Sequence, residues 1–426
     1  MLRHALILAL LVAVVAPTLA DDSSLTITPT ADLRVRQEVL DGVYHWAGSQ
    51  SDRNWIRVRT RAGFKLDAGE HHGELRLANE HRHYITPDEE LDWDEVLVDR
   101  FLWRWSPRED LTVTLGRQDI IWPGGFLVLE GHPLDGSRTI FHDGVRLQTE
   151  MHGAKVDVAV VHNERRAKLV LLDDAERDLT FGDETGLLAR LVRGAWTGSF
   201  IVKDLNEAEA NEWGDTTPDL RTYTLGGRYA GPAAGLGTLE AEVALQYQDG
   251  VVPVRVAPDG ETPEHGWAVA GQAFLKRPLP GDLTMELGGF YYSGAGDNLR
   301  PFQSPWGSWP KWSELYIYTL LGESTGGRPH VAHWENVVAP RLQLRRPLSE
   351  RLSARAGATW LLAPEPELIS RGVLAQAELK AKLPHDLTGH LLLEWFDPGA
   401  FHDGRHGLAS FDDPVTFMRW QMSWAF

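Results

Sequence analysis

The chain ends in the stretch MRWQMSWAF, Met418 to Phe426, in which apolar and polar residues alternate. One face carries two methionines, two tryptophans and a phenylalanine, whereas the other carries arginine, glutamine, serine and alanine. A period of two predicts a β-strand, because successive side chains of a strand point to opposite sides of the sheet. A soluble protein would bury the apolar face under a second layer, whereas a transmembrane barrel would turn it toward lipid.

The same alternation recurs along the chain in segments of about a dozen residues, near the length that a tilted strand needs to cross a bilayer. Eighteen such segments lie near 25–39, 54–68, 72–85, 95–106, 110–121, 138–150, 155–163, 185–192, 195–205, 219–231, 237–248, 266–277, 281–292, 334–346, 350–361, 371–383, 386–397 and 416–426. The stretch KWSELYIYTLLG near 311–322 is a nineteenth candidate, which we place in a long loop.

The connections between these segments alternate between short and long, as they do in outer-membrane barrels with short periplasmic turns and long outer loops. This pattern predicts a single all-β transmembrane antiparallel barrel of 18 strands, within a range of 16 to 18, in the bacterial outer membrane. Both chain ends are expected on the periplasmic side. The longest loop, 293–333, carries three tryptophans at 306, 309 and 312. We expect it to fold over or into the barrel mouth, because tryptophan seeks burial.

The one long apolar run is MLRHALILALLVAVVAPTLA, residues 1–20. A basic start, an apolar core from 5 to 15 and a small-residue ending predict a signal peptide cut before Asp21, with the barrel domain spanning 21–426. The short core disfavours an anchor helix as the alternative. No later stretch reaches the 18 or so apolar residues of a transmembrane helix.

Composition excludes several classes of function. The 426 residues include no cysteine, which removes thiol catalysis, thiolate metal sites and disulfides. A net charge of −18 disfavours nucleic acid as a partner. The 17 tryptophans suit a protein that meets two membrane interfaces.

Strand phase assigns more arginines than carboxylates to the barrel interior. Unpaired guanidinium groups would make a pore that attracts anions. The alternative is a ladder in which arginines pair with glutamates and only hold the wall in shape. The candidate pore-lining and substrate-binding residues are Arg57, Arg59, Arg61, Arg76, Arg100, Arg104, Arg117, Asp119, Asp143, Arg146, Arg341, Arg345 and Arg355.

The segment 115–150 departs from the simple pattern. Arg117 and Asp119 fall in the same phase as the apolar residues of their strand, where a charge in lipid costs a few kcal/mol. Either a bulge at Gly116 reverses the phase, which we favour, or the strand has already reached its outer end. With Asp143 and Arg146, these charges could form one mixed-charge constriction.

Three stretches resemble the alginate-export outer-membrane porins: LGRQ (115–118), SRTIFHDGVRL (137–147) and WENVVAPRLQLRRPLSERLSARAGATWLL (334–362). In the second stretch, Arg138, Phe141 and Asp143 stand further apart than in the common family pattern. The resemblance implies an 18-stranded barrel whose arginine-rich constriction passes an anionic polysaccharide or uronate oligomer. The expected partners are that polysaccharide, outer-membrane lipid against the apolar strand faces and, because the last strand ends in Phe426, the barrel-assembly machinery.

Two other functions remain open. One is a general porin selective for anions or oligosaccharides. The other, less favoured, is an outer-membrane hydrolase, which would need a nucleophile beside a histidine base at the outer rim. The 17 histidines are scattered, and no nucleophile motif with a matching base is visible. We therefore predict a channel rather than an enzyme, with no cofactor and no metal site.

Overall fold

The computed structural model describes residues 25–44, 50–87, 92–93, 96–129, 141–166, 169–172, 182–206, 219–250, 265–296, 298–307, 313–315, 335–402 and 413–425. Its long strands are β1 Thr26–Tyr44, β2 Gln50–Ala68, β3 His71–Thr86, β4 Val96–Arg108, β5 Leu111–Gln118, β6 His142–Met151, β7 Ala154–Asn163, β8 Glu184–Arg193, β9 Trp196–Leu205, β10 Leu220–Ala233, β11 Gly237–Gly250, β12 His265–Leu279, β13 Leu283–Tyr292, β14 Val337–Pro347, β15 Leu352–Ala363, β16 Ile369–Lys382, β17 Thr388–Pro398 and β18 Val415–Ala425. Two short strands, Asp92–Trp93 and Val170–Leu172, pair with β3 and β4 outside the main ring.

Each long strand pairs antiparallel with the next, and β18 closes the ring by pairing with β1 from Asp32–Ala425 to Asp41–Thr416. Closure removes free sheet edges, so each strand finds backbone partners on both sides. The predicted 18-stranded antiparallel barrel is therefore confirmed. No helix in the described part of the chain is long and apolar enough to cross a membrane. The predicted signal peptide lies outside the described residues.

The two rims of the barrel differ. The turns at one rim are short, such as Gly69–Glu70 between β2 and β3, and β1 begins and β18 ends at this rim. The connections at the other rim are longer, up to the segment between Tyr292 and Val337. Since short turns are periplasmic in outer-membrane barrels, we call the first rim the periplasmic end and the second the outer end.

The outer face of the barrel is apolar across its middle, where Leu225 is 62% exposed. Aromatic pairs lie toward both rims, with Trp196 and Tyr229 at the periplasmic end and Tyr247 and Trp267 at the outer end. Such girdles suit the two membrane interfaces. The same division explains the last strand. Met422 and Trp424 are 40% and 38% exposed on the outside, and Arg419 is buried on the inside.

The barrel interior contains an apolar core at its outer half, because two loops fold inward. One is the β5–β6 loop, described over 119–129. The other, which we call the strap, follows β13 and is described over 293–296, 298–307 and 313–315. Trp306 of the strap is 0% exposed. Its NH donates to the Leu127 carbonyl at 3.0 Å, and its carbonyl accepts from Leu129 NH at 2.7 Å.

Inward folding of the loop after β13 agrees with the prediction from its tryptophans. Trp309 and Trp312 lie outside the described residues. The nineteenth candidate strand, 311–322, is described only at Ser313–Leu315, which is not a barrel strand. Residues 119–121, predicted to extend β5, instead leave the wall for the interior.

Candidate pore and its lining

One wall of the lumen, made by β1–β4 and β18, carries a buried network of ion pairs. Arg57 lies 2.6 Å from one oxygen of Glu80 and 3.3 Å from Glu38, and Arg34 lies 3.0 Å from Glu80. Arg36 is also buried, 3.3 Å from Glu38. Buried charges are tolerated when they are paired and hydrogen-bonded, and here each carboxylate serves several guanidinium groups.

The network extends toward the periplasmic end. Arg59 and Arg61 share Asp32 at 3.2 and 2.6 Å, and Arg76 lies 2.9 Å from Asp99. Farther along, Arg100 contacts Glu74 at 3.3 Å and also pairs with Asp119. The structure thus places five of the predicted lining residues on one wall, each paired with a carboxylate. They are Arg57, Arg59, Arg61, Arg76 and Arg100.

The bulge predicted at Gly116 is wrong. The register of β5 with β6 runs without a shift from Leu111–Thr149 to Gln118–His142, although Gly116 has a φ of 104°. Arg117 therefore keeps the phase of Leu115, which is exposed on the outer face. Its charge is satisfied by Asp143 on the same side, through Nε–Oδ1 and Nη2–Oδ2 contacts of 2.8 and 2.7 Å.

A bulge does occur one strand away, on β4. Arg76 pairs with Arg100 and Leu77 with Val98, so Asp99 is the extra residue. The shift re-aims Asp99 so that its carboxylate reaches Arg76. The residues around Asp99 in the sequence do not indicate this bulge. Asp99 is therefore an interior carboxylate that strand phase had missed.

The four charges of 115–150 do not form one constriction. Arg146 pairs with Asp157 through Nε–Oδ1 and Nη2–Oδ2 contacts of 2.8 and 2.7 Å, and Arg190 shares that carboxylate at 3.1 Å. Asp119 instead forms an ion pair with Arg100. Asp157 was also missed, although alternation in AKVDVAVV places it opposite the valines of the outer face.

The opposite wall, made by β10–β15, borders a cavity of about 210 Å³ beneath the two inward loops. Five cationic groups and three carboxylates line it, so the cations are in excess. They are Arg228, Lys276, Arg341, Arg345 and Arg355 against Glu240, Glu242 and Glu286. Gly124, Phe126 and Gly307 of the loops close its outer side.

The cations of this cavity are unevenly neutralised. Arg341 pairs with Glu286 and stacks over Phe274 at 4.6 Å, and Arg355 lies 3.0 Å from Glu378. Arg345 stands directly opposite Arg355 in the register of β14 and β15, and it makes no ion pair within the described part of the chain. Two opposed guanidinium groups leave positive charge facing the cavity. Arg104, on β4, likewise has no ion pair among the described residues.

The strap is anchored on one side to β8, β9 and β11. Lys203 donates to the Pro305 carbonyl at 2.7 Å, and Glu184 accepts from Trp306 Nε1 at 2.8 Å. Lys203 and Glu184 also pair with each other at 2.7 Å. Gln246 donates to the Gln303 carbonyl at 2.8 Å. These contacts fix the strap backbone at Gln303 and Pro305 and also the buried indole ring of Trp306.

The strap is anchored on the other side to β17, through what we call the Glu394 latch. Glu394 Oε2 accepts from Leu315 NH at 2.6 Å, Ser313 Oγ at 2.9 Å and Glu314 NH at 3.0 Å. Arg419 of β18 lies 3.1 Å from Glu314. Since β9 and β17 are eight strands apart in a ring of eighteen, the strap contacts nearly opposite walls.

Comparison with known proteins supports the fold. No protein-family model and no curated protein matches the sequence. Among solved structures, OccK2 (OpdF) of Pseudomonas aeruginosa is similar at a TM-score of 0.57 and 10% identity, covering 94% of this chain and 99% of that one. The outer membrane protein OpdK of the same species gives 0.55, 12%, 93% and 98%. OccAB1 of Acinetobacter baumannii gives 0.55, 11%, 93% and 96%.

These similarities concern the fold, which is that of outer-membrane porins. With the apolar outer face, they confirm the predicted location in the bacterial outer membrane. The similar structures are Occ and Opd proteins at 10–12% identity, so the comparison shows the fold and does not support alginate export specifically.

Proposed function

We propose that this protein is an outer-membrane porin that passes small anionic solutes along the β10–β15 side of its lumen. One observation carries the proposal, namely the difference between the two walls. The arginines of β1–β3 pair with buried carboxylates, whereas Arg345 and its opposed neighbour Arg355 face a cavity with an excess of cations. Arg104 on β4 also has no ion pair among the described residues, but it does not line the cavity, so at the cavity it is Arg345 that offers unneutralised positive charge to a passing solute.

The inward loops limit the size of the solute that can pass through the lumen. The strap and the β5–β6 loop occupy the outer half of the lumen, and the strap contacts nearly opposite walls. A long polymer would have to displace the strap, whereas a small anion would only have to pass beside it. The general anion- or oligosaccharide-selective porin is therefore favoured over a polysaccharide exporter.

Uronates remain the finer candidate within this class. Their carboxylates suit guanidinium groups, which bind them through two parallel hydrogen bonds. The resemblance of 115–118, 137–147 and 334–362 to alginate-export porins points to the same chemistry. We infer that uronate monomers and short oligomers are the solutes to test first.

Selectivity is tested with purified channels in planar bilayers. The reversal potential across a KCl gradient should show anion preference in the wild type. Arg345→Gln combined with Arg355→Gln should reduce that preference. Arg108→Gln with Arg193→Gln is the matched control, because it removes two charges near the periplasmic turns outside the cavity. Cation preference in the wild type would refute the proposal.

Solute class is tested separately by liposome swelling. Galacturonate should enter faster than galactose, which has the same ring and no carboxylate. The advantage should shrink in the Arg345→Gln, Arg355→Gln variant. Equal rates for the two sugars would mean that the lumen selects solutes by size alone. The proposal that uronates are preferred solutes would then be wrong.

A further inference from the structure

Three hydrogen-bond donors on β14 and β15 are buried and lack a protein partner. Arg341 Nε, Gln343 Nε2 and Thr359 Oγ1 make no hydrogen bond within the described part of the chain. Gln343 is 3% exposed and Thr359 1% exposed. A buried donor without a protein acceptor is costly, so each of these donors needs water or a ligand as its partner.

The strand register brings these donors to one place. Arg341 stands opposite Thr359, so their Cβ atoms are about 5 Å apart. Gln343 follows Arg341 by two residues and points to the same side of β14. Arg341 and Gln343 both line the cavity beneath the strap. The three donors therefore lie on one short stretch of the inner wall, with Thr359 beside Arg341 on the neighbouring strand.

The wall is closely packed beside Gln343. Its register partner on β15 is Gly357. A Cβ at Gly357 would lie 2.6 Å from the Leu342 carbonyl oxygen and 3.2 Å from Gln343 Cβ. Glycine at this position therefore lets β14 and β15 approach each other beside Gln343.

We propose that Arg341, Gln343 and Thr359 form a binding subsite for a polyatomic oxyanion of carboxylate size. Glu286 already engages the Nη2 end of Arg341, which leaves Nε for a ligand. A carboxylate offers two oxygens that can accept from separate donors at once, whereas a spherical halide presents one centre. The subsite rests on the proposed anion channel and adds two neutral residues that would distinguish oxyanions from chloride.

The test uses acetate as the probe and the full-length channel in planar bilayers. Chloride current is recorded at constant KCl while acetate is added, and the acetate concentration for half-block is measured. Gln343→Met combined with Thr359→Val keeps every charge and nearly the same side-chain size while removing two donors. Half-block should then need about 100-fold more acetate, because two hydrogen bonds to a charged ligand are lost. The reversal potential in KCl should not change.

Thr359→Ser is the conservative control, since it keeps the hydroxyl and should keep the wild-type half-block. Heat-modifiable gel mobility checks that each variant is a folded barrel. Equal half-block in the wild type and the Gln343→Met, Thr359→Val variant overturns the subsite, as does a wild-type channel that acetate does not block. A wild type without anion preference in KCl overturns the proposed function instead, so the two failures are distinct.

Discussion

Replacing Glu394 by leucine should release the C-terminal part of the strap from the barrel wall. The substitution leaves the Leu315 NH, Glu314 NH and Ser313 hydroxyl buried without the acceptor that the carboxylate provides. Each hydrogen bond lost in this way costs about 1–3 kcal/mol, so the attached state loses at least about 3 kcal/mol. Because 1.4 kcal/mol is a factor of ten, the ratio of released to attached strap should rise about 100-fold.

Single-channel recording measures this change directly. Glu394→Leu should show larger or longer high-conductance openings than the wild type, because the released strap leaves the lumen. Glu394→Gln should stay near the wild type, since its amide oxygen still accepts and Gln376 can turn its own amide to match. Glu74→Leu is the charge control, because Glu74 pairs with Arg100 rather than with the strap and does not line the cavity. Identical traces for Glu394→Leu and the wild type would refute the latch.

Two further predictions concern the strap and the ion-pair wall, which is the wall made by β1–β4 and β18. Gly186→Ala should expel the ring of Trp306, because an added Cβ would lie 2.1 Å from its Cη2 atom, and single-channel conductance should rise. Arg57→Met should lower the unfolding temperature, measured by heat-modifiable gel mobility, because it leaves Glu38 and Glu80 buried with fewer partners, at a cost of about 3–5 kcal/mol. Unchanged conductance in Gly186→Ala would contradict the packing of Trp306 against β8. An unchanged unfolding temperature in Arg57→Met would contradict the stabilising role of its ion pairs.

The fold was predictable because lipid imposes a strict rule on sequence. A strand between lipid and an aqueous lumen must alternate, so Arg419 lies inside while Met422 and Trp424 lie outside. Connection length then separates the two rims. These constraints act residue by residue and leave a readable period in every strand, which is why all eighteen strands were found.

The interior was less predictable, because it depends on contacts between distant segments. The strand period does not show that residues after Gln118 leave the wall, although the apolar run FLVL (126–129) in a loop is a signal of burial. Asp99 reaches the interior only through a bulge on β4. Strand phase predicted which arginines face inward on β1–β4, and their partners emerged only from the register between strands.

The central claim is that solutes follow the β10–β15 wall and not the β1–β4 wall. The chain has no cysteine, so a single introduced thiol reports accessibility without background. Thr284→Cys places a thiol opposite Arg345, and Ala78→Cys places one opposite Arg61 in the ion-pair wall. An anionic methanethiosulfonate reagent added during recording should reduce the current through the Thr284→Cys channel and leave Ala78→Cys unchanged. Reduction in Ala78→Cys with no effect in Thr284→Cys would contradict the account.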